Sequence, residues 1–158
     1  MTTNLEDIER RLSRLESIAE IQELQVEYAA ACDANYDPDR IAALFAEDGV
    51  WDGGEALGTC IGREAIRDHF AGTHARVLWA MHFMIAPKID VDQSGSTARG
   101  WWYLLEPATL ASADGPTAYW IATVYEIDYV RSPSGQWLFQ RMAFSGGMRA
   151  PYASGWAV

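Results

Sequence analysis

Basic residues are scarce in this chain: 12 Lys and Arg stand against 22 Asp and Glu, a formal net charge of −10 over 158 residues. Such a surface repels phosphate backbones and anionic headgroups, which argues against nucleic-acid and membrane-surface partners. No uninterrupted apolar run reaches membrane-spanning length. The first residues, Met1 to Asp7, carry neither the basic nor the apolar stretch of a secretory leader, so the expected compartment is the cytoplasm. Cysteine is also rare. Cys32 and Cys60 are too few for a disulfide framework, match no zinc spacing, and read as reduced small core side chains. A Gly-rich phosphate loop, a nucleophile elbow and a metal cluster are all missing. His69 and His74 fall on a polar helix end and the loop after it, and read as surface residues. The sequence therefore calls for neither a metal nor a cofactor.

What is present is ordinary globular material, 49% hydrophobic and 22% charged, with an excess of rings: seven Trp and seven Tyr. Rings in that number suit a lined site or subunit contacts equally. The chain opens on Thr3-Asn4-Leu5-Glu6, which reads as a capping box with Thr3 at the N-cap. Leu5, Ile8, Leu12, Leu15 and Ala19 then recur in alternating steps of three and four, and Ile18, Ile21, Leu24 and Tyr28 continue an apolar stripe. This predicts an amphipathic helix to about residue 33, bent near Ser17, whose first half packs on a neighbouring subunit. Asp37-Pro38 starts a short helix ending at Asp48-Gly49, Val50-Trp51 opens a short strand, and Gly62 to Phe70 reads as a third helix.

Beyond residue 76 the pattern changes to long strands and tight turns. Residues 76–91 read as a strand split at Pro87, followed by strands at 97–111, 117–130 and 136–145. Helices followed by an antiparallel meander imply an α+β fold with a curved sheet wrapped around the N-terminal helices. The expected organisation is one domain over 1–158, with a helical extension at 1–17 and an aromatic tail at 146–158 that docks on a cavity mouth or another subunit.

Alternation sorts the strand residues into faces. His82 lies in Leu78-Trp79-Ala80-Met81-His82-Phe83-Met84-Ile85-Ala86, without another polar side chain, and shares a face with Leu78, Ala80 and Met84. Trp102 shares a face with Glu106, Tyr119 with Tyr125, and Trp137 with Arg141. The cavity face is expected to collect His82, Trp102, Glu106, Tyr125 and Arg141, joined by Tyr28 and Asp33 from the helix end. An imidazole in apolar surroundings needs a partner, and a carboxylate beside it fixes the tautomer and stabilises the imidazolium. Asp33 and His82 are thus the candidate base pair, with Tyr28 or Glu106 assisting a leaving group. Trp51, Trp102, Met84 and Tyr125 would line the pocket, and Arg141 would bind substrate or pair with Glu126 or Asp128. Both sheet faces are apolar, which predicts a homo-oligomer.

The run Tyr28-x4-Asp33, Asp37-Pro38-Asp39-x-Ile41-x2-Leu44-Phe45-x2-Asp48-Gly49, the Gly62-Arg63-Glu64-Ala65-Ile66 helix start, Met81-His82-x4-Pro87-x-Ile89 and the hairpin from Tyr125 to Arg141 resemble the nuclear transport factor 2-like superfamily. The likeness spans roughly residues 15–145 and is strongest to the SnoaL-like branch, which includes scytalone dehydratase, hexachlorocyclohexane dehydrochlorinase and bile-acid 7α-dehydratase. It implies a cone-shaped α+β barrel with a deep apolar pocket, a trimer more than a dimer, and an Asp–His pair matching Asp33 and His82. It also implies a Tyr and an acid matching Tyr28 and Glu106, and a late Arg for which Arg141 and Arg149 both stand as candidates.

The expected activity is a cofactor-independent lyase, with dehydration leading, on a hydrophobic cyclic or aromatic small molecule. The alternatives are a ketosteroid-isomerase-like isomerase or polyketide cyclase, a retro-aldol lyase releasing an aldehyde, and a non-catalytic ligand-binding or scaffold domain.

Overall fold

A computed structural model describes residues 4–156. Helix α1 (Leu5–Asp33) runs unbroken for 29 residues and is followed by α2 (Pro38–Ala43), β1 (Phe45–Asp52), α3 (Gly54–Leu57), β2 (Thr59–Ile61) and α4 (Arg63–Ala71). A 3-10 turn, Thr73–Ala75, leads into β3 (Val77–Ala80), β4 (Phe83–Val91), β5 (Thr97–Leu110), β6 (Thr117–Arg131) and β7 (Trp137–Pro151). The helices precede a curved seven-stranded sheet ordered β2-β1-β7-β6-β5-β3, with β4 also on β5. The sheet is mixed and does not close: β1 runs parallel to β7, a pairing across some ninety residues that no local pattern announces.

Asn4, not Thr3, caps α1, its side chain accepting the Asp7 N–H at 2.8 Å; Thr3 itself lies outside the described residues. Asp37 caps α2 with Pro38 in the first turn, but that helix stops at Ala43 and the strand begins at Phe45, five residues before Val50. Arg63 donates to the Phe45 carbonyl at 2.6 Å, pinning the start of α4 to β1. The buried face of α1 carries Ser17, Ile21, Leu24, Gln25, Tyr28 and Cys32, packed against the concave side of the sheet.

Two bulges set which side chains of β7 look inward. Tyr129 pairs with Phe139 and Asp128 with Arg141, so Gln140 is an extra residue that resets the alternation. Phe139 and Met142 are both fully buried, and Arg141 is turned outward. A second shift between Ala122 and Val124 accommodates Gly146 and Gly147, and the strand continues to Pro151. Residues 146–151 are therefore part of the sheet, and the expected strand end at 145 and tail start at 146 both move to Pro151. Beyond them, Tyr152 and Trp156 lean on Trp120, with ring centroids 6.2 and 5.7 Å away.

The opposite face of the sheet is apolar and open. Trp79 is 52% exposed, and Leu78, Phe83, Ile85 and Tyr103 are similarly uncovered. Leu78 thus lies outside the cavity face on which alternation placed it. Among the described residues no helix is long and apolar enough to cross a membrane.

Candidate active site

Residues 76–91 do form one strand path, but it is interrupted at Met81-His82. The pairings Ala80↔Ala108 and Phe83↔Leu105 keep one register across the gap, which sets His82 opposite Glu106. The cause lies in the partner strand. Pro107, opposite Met81, has no N–H to give, so the ladder lapses there and only the Met81 N–H to Pro107 carbonyl bond at 3.2 Å remains. The expected irregularity at Pro87 is also present, as a register shift between Ile85 and Lys88 with Ala86 at φ 50°.

Freed from the ladder, His82 turns both its backbone and its ring to the end of α1. Asp33 Oδ1 accepts the His82 backbone N–H at 3.0 Å and the ring Nδ1–H at 2.8 Å. Because a carboxylate only accepts, the Nδ1 proton is fixed and Nε2 is left as the basic nitrogen. The ring is 4% exposed and the Asp33 side chain 34%. An acid in the last turn of a helix opposes the dipole, and here the two His82 donors offset that cost.

On the other side of the ring, Nε2 lies 3.8 Å from Glu106 Oε1 and 3.5 Å from the Tyr36 hydroxyl. The Tyr36 hydroxyl also donates to Glu106 Oε1 at 3.3 Å. Burial pushes the Glu106 carboxyl above its ordinary range; the His82 ring and the Tyr36 hydroxyl pull the other way, and Asp33 adds to the rise. Burial, then the Glu106 charge, raises the Tyr36 phenol as well, so it stays protonated. The free ring nitrogen of His82 therefore faces two groups biased toward carrying a proton.

The raised carboxyl has a measurable consequence. In the folded protein Glu106 binds its proton more tightly than in the unfolded chain, so stability falls as pH rises from the ordinary glutamate value of 4.5 through the raised folded value. Glu106→Gln removes this ionisation. Its melting temperature is expected to exceed that of the parent at pH 8, with the advantage shrinking toward pH 4. A difference that stays constant across that range would show that Glu106 is not held toward neutrality.

Tyr36 was not among the residues singled out by sequence. The chain leaves α1 through Asn35 and Tyr36, at φ 59° and 56°, a left-handed pair that folds Tyr36 back under the helix end. Its backbone N–H closes on the Cys32 carbonyl at 2.9 Å, and its ring stacks on Phe70 and meets the His82 ring edge-on at 5.6 Å. The available signal was an aromatic residue inside the polar turn Asn35-Tyr36-Asp37-Pro38, where a side chain with no inward task would be out of place.

Other expected site residues are distributed around this centre. Tyr28 is buried beneath it, accepting the Trp51 indole N–H at 3.4 Å and packing edge-on against Tyr125 and Phe139. Trp51, Phe70, Phe144 and Tyr125 form a continuous aromatic wall, and Met84, half-buried, borders the core two residues along from His82. Trp102 stands apart from the wall: its indole donates to the Tyr129 hydroxyl at 3.0 Å, which donates on to Gln25 of α1. Arg141 is carried away from the concave face by the Gln140 bulge and pairs with Asp52 at 2.6 Å, not with Glu126 or Asp128. The Gly54 N–H, the Thr59 hydroxyl and this guanidinium together hold Asp52 below the usual carboxylate range. Arg149 lies over the Tyr119 ring. His69 is half-buried rather than superficial, 4.4 Å from the Trp51 ring; burial, then Arg76, lowers its basicity. Among the described residues there is no metal-holding cluster.

Comparison with known proteins places this geometry in context. No curated protein matches the chain. Among solved structures, a type 2 hexachlorocyclohexane dehydrochlorinase superposes with a TM-score of 0.81 at 25% identity, covering 94% of this chain and 97% of its own. The type 3 dehydrochlorinase of Novosphingobium barchaimii LL02 gives 0.77 at 25% identity over 90% and 94%. A provisional scytalone dehydratase of Novosphingobium aromaticivorans DSM 12444 gives 0.77 at 22% identity over 89% and 90%, a likeness of fold. The SnoaL-like domain family matches residues 13–143, which include most of the sheet, the end of α1 with Asp33 and the turn that carries Tyr36. The chain belongs to the SnoaL-like family of the nuclear transport factor 2-like superfamily.

Proposed function

We propose that the protein is a cofactor-independent lyase that eliminates water from a hydrophobic cyclic or aromatic small molecule. The observation that carries this reading is the His82 ring held between Asp33 on one nitrogen and the Glu106–Tyr36 pair on the other. Membership of the SnoaL-like family supports a small-molecule-converting enzyme, and the two dehydrochlorinases are eliminating enzymes by name.

In this reading Nε2 of His82 takes a proton from carbon, and the C–H electron pair becomes the new carbon–carbon double bond. The C–O bond on the neighbouring carbon breaks with its electron pair, and the departing oxygen takes the Glu106 carboxyl proton and leaves as water. Asp33 stabilises the imidazolium formed. The Nε2 proton then passes to the Glu106 carboxylate, which restores both groups. Tyr36 positions Glu106 and can donate to oxygen in the same place. The aromatic wall of Trp51, Phe70, Phe144 and Tyr125 would hold an apolar ring and keep water from the developing charges.

A second reading rests on the same donors. Tyr36 and a neutral Glu106 side by side could stabilise an enolate oxygen, which suits isomerisation or cyclisation without a leaving group. Product mass separates the two. Incubation with a panel of cyclic β-hydroxy ketones and hydroxylated aromatics is expected to give products lighter by one water; products of unchanged mass would select the isomerase, and no turnover across the panel would favour a binding domain. For subunit contact we assign the exposed face around Trp79, Phe83 and Tyr103.

A further inference from the structure

Helix α1 carries a second stripe, apolar but for Gln22, opposite the one that packs on the sheet. Leu5, Ile8, Leu12, Leu15, Ala19, Gln22 and Val26 follow strict three–four steps over three heptads, and all seven are exposed, Leu5, Leu15 and Val26 each above 60%. The inner stripe, Ser17, Ile21, Leu24 and Tyr28, falls on the far side of the helix, so both faces can be satisfied at once. From Leu5 to Glu16, about 18 Å of helix, no residue is buried, and Arg14 meets the sheet through a surface pair with Asp90 of β4 at 3.9 Å. An isolated segment of that length is a marginal helix in water, and among the described residues nothing covers the four large aliphatic side chains on one side of it.

We propose that this stripe pairs with the same stripe of a second copy of the chain, as a short parallel two-stranded coiled coil. Three observations select that occupant. The apolar residues keep the heptad spacing that a supercoiled partner requires, where a packing helix of ordinary period would drift away. The flanks are charge-matched for a parallel pair: Arg11 on one flank lies five residues before Glu16 on the other, so each Arg11 meets the Glu16 of its neighbour. An antiparallel pair would instead set the acidic flank, Glu9, Glu16 and Glu23, against itself. Finally, Ala19, Gln22, Glu23 and Val26, spaced i, i+3, i+4 and i+7, line a surface groove with Glu27. Four residues so spaced form the socket for one side chain of a facing helix, and in the parallel register that side chain is the other copy's glutamine at the same position. The contact is independent of the chemistry assigned to His82.

The test is the solution mass of the full chain by light scattering, with Leu12→Glu/Leu15→Glu as the disrupting variant. The parent is expected to contain an even number of chains and the variant half as many, with unchanged far-ultraviolet circular dichroism beyond the loss of those first turns. Because these substitutions could also affect folding, a second arm uses Leu12→Cys in a Cys60→Ser background under mild oxidation. A parallel pair brings the two introduced thiols together, and a disulfide-linked dimer is expected; Ser13→Cys, one position off the seam, should stay unlinked. A monomeric or odd-numbered parent, an unchanged mass in the double variant, or equal cross-linking at positions 12 and 13 would overturn the proposal.

Discussion

His82→Ala is expected to lower kcat by about 10²- to 10⁴-fold, the range over which a positioned base contributes, with little loss of fold. The asymmetry follows from the site. Removing the imidazole takes away the ring nitrogen that faces Glu106 and Tyr36, yet it strands nothing costly: Asp33 keeps the backbone N–H of residue 82 and is one-third exposed to solvent. Asp33→Asn should act almost as strongly by another route. An amide in place of the carboxylate can offer its own N–H to Nδ1, which moves the ring proton to Nε2 and removes the basic nitrogen from the place where it is needed. Because Asp33 acts through His82, the double variant should be no slower than His82→Ala alone. Steady-state rates on the panel substrate, read beside melting temperatures, check this. Activity within threefold of the parent in both single variants would remove the pair from the mechanism.

Phe139→Ala should cost about 3–5 kcal/mol of stability, the usual price of deleting a large buried ring. Phe139 is fully buried, with Phe45, Tyr28 and Tyr129 around it at centroid distances of 5.1, 5.7 and 5.7 Å. Each neighbour comes from a different element, so none can close the void without moving a helix or a strand. The backbone N–H of Phe139 also donates to the Leu44 carbonyl at 2.9 Å, tying β7 to the end of α2. Gln140→Ala is the matched control next door, partly exposed and bonded only to Asp48, and should change stability by less than about 0.5 kcal/mol. Denaturant unfolding of the two variants distinguishes them. A loss below about 1.5 kcal/mol for Phe139→Ala would mean that the aromatic cluster re-packs and is not the rigid floor of the site.

Much of this architecture was readable in the residues. The length of α1, the Asp37-Pro38 start, the hairpin turns and the inward face of β5 all follow from local chemistry, and burial along β5 alternates as the pattern requires. The failures within the sheet have one physical origin, pairing between distant segments. The lapse at Met81-His82 is caused by Pro107 in another strand, and the strand start at Phe45 by parallel pairing with β7. The outward turn of Arg141 comes from one unmatched residue in β7 relative to β6. Period-two counting assumes an unbroken ladder, so it carried Arg141 inward and left His82 in mid-strand. For the site, the juxtaposition of Asp33 and His82 was anticipated by resemblance, not by spacing. Tyr36 escaped because its direction depends on two consecutive left-handed residues, a conformation that sequence rarely declares for an aromatic side chain.

The unmatched residue in β7 also bears on how this chain can change over generations. A substitution at Arg141 alters a side chain already pointing into solvent, and loss of the single codon for Gln140 would let the ladder alternate without a break while Arg141 stays outward and Met142 inward. Loss of a codon between Arg141 and the glycine pair has no such slack and would rephase the residues that follow it. For this last strand the place of a change in chain length decides its effect, and changes of letter at the outward positions matter little.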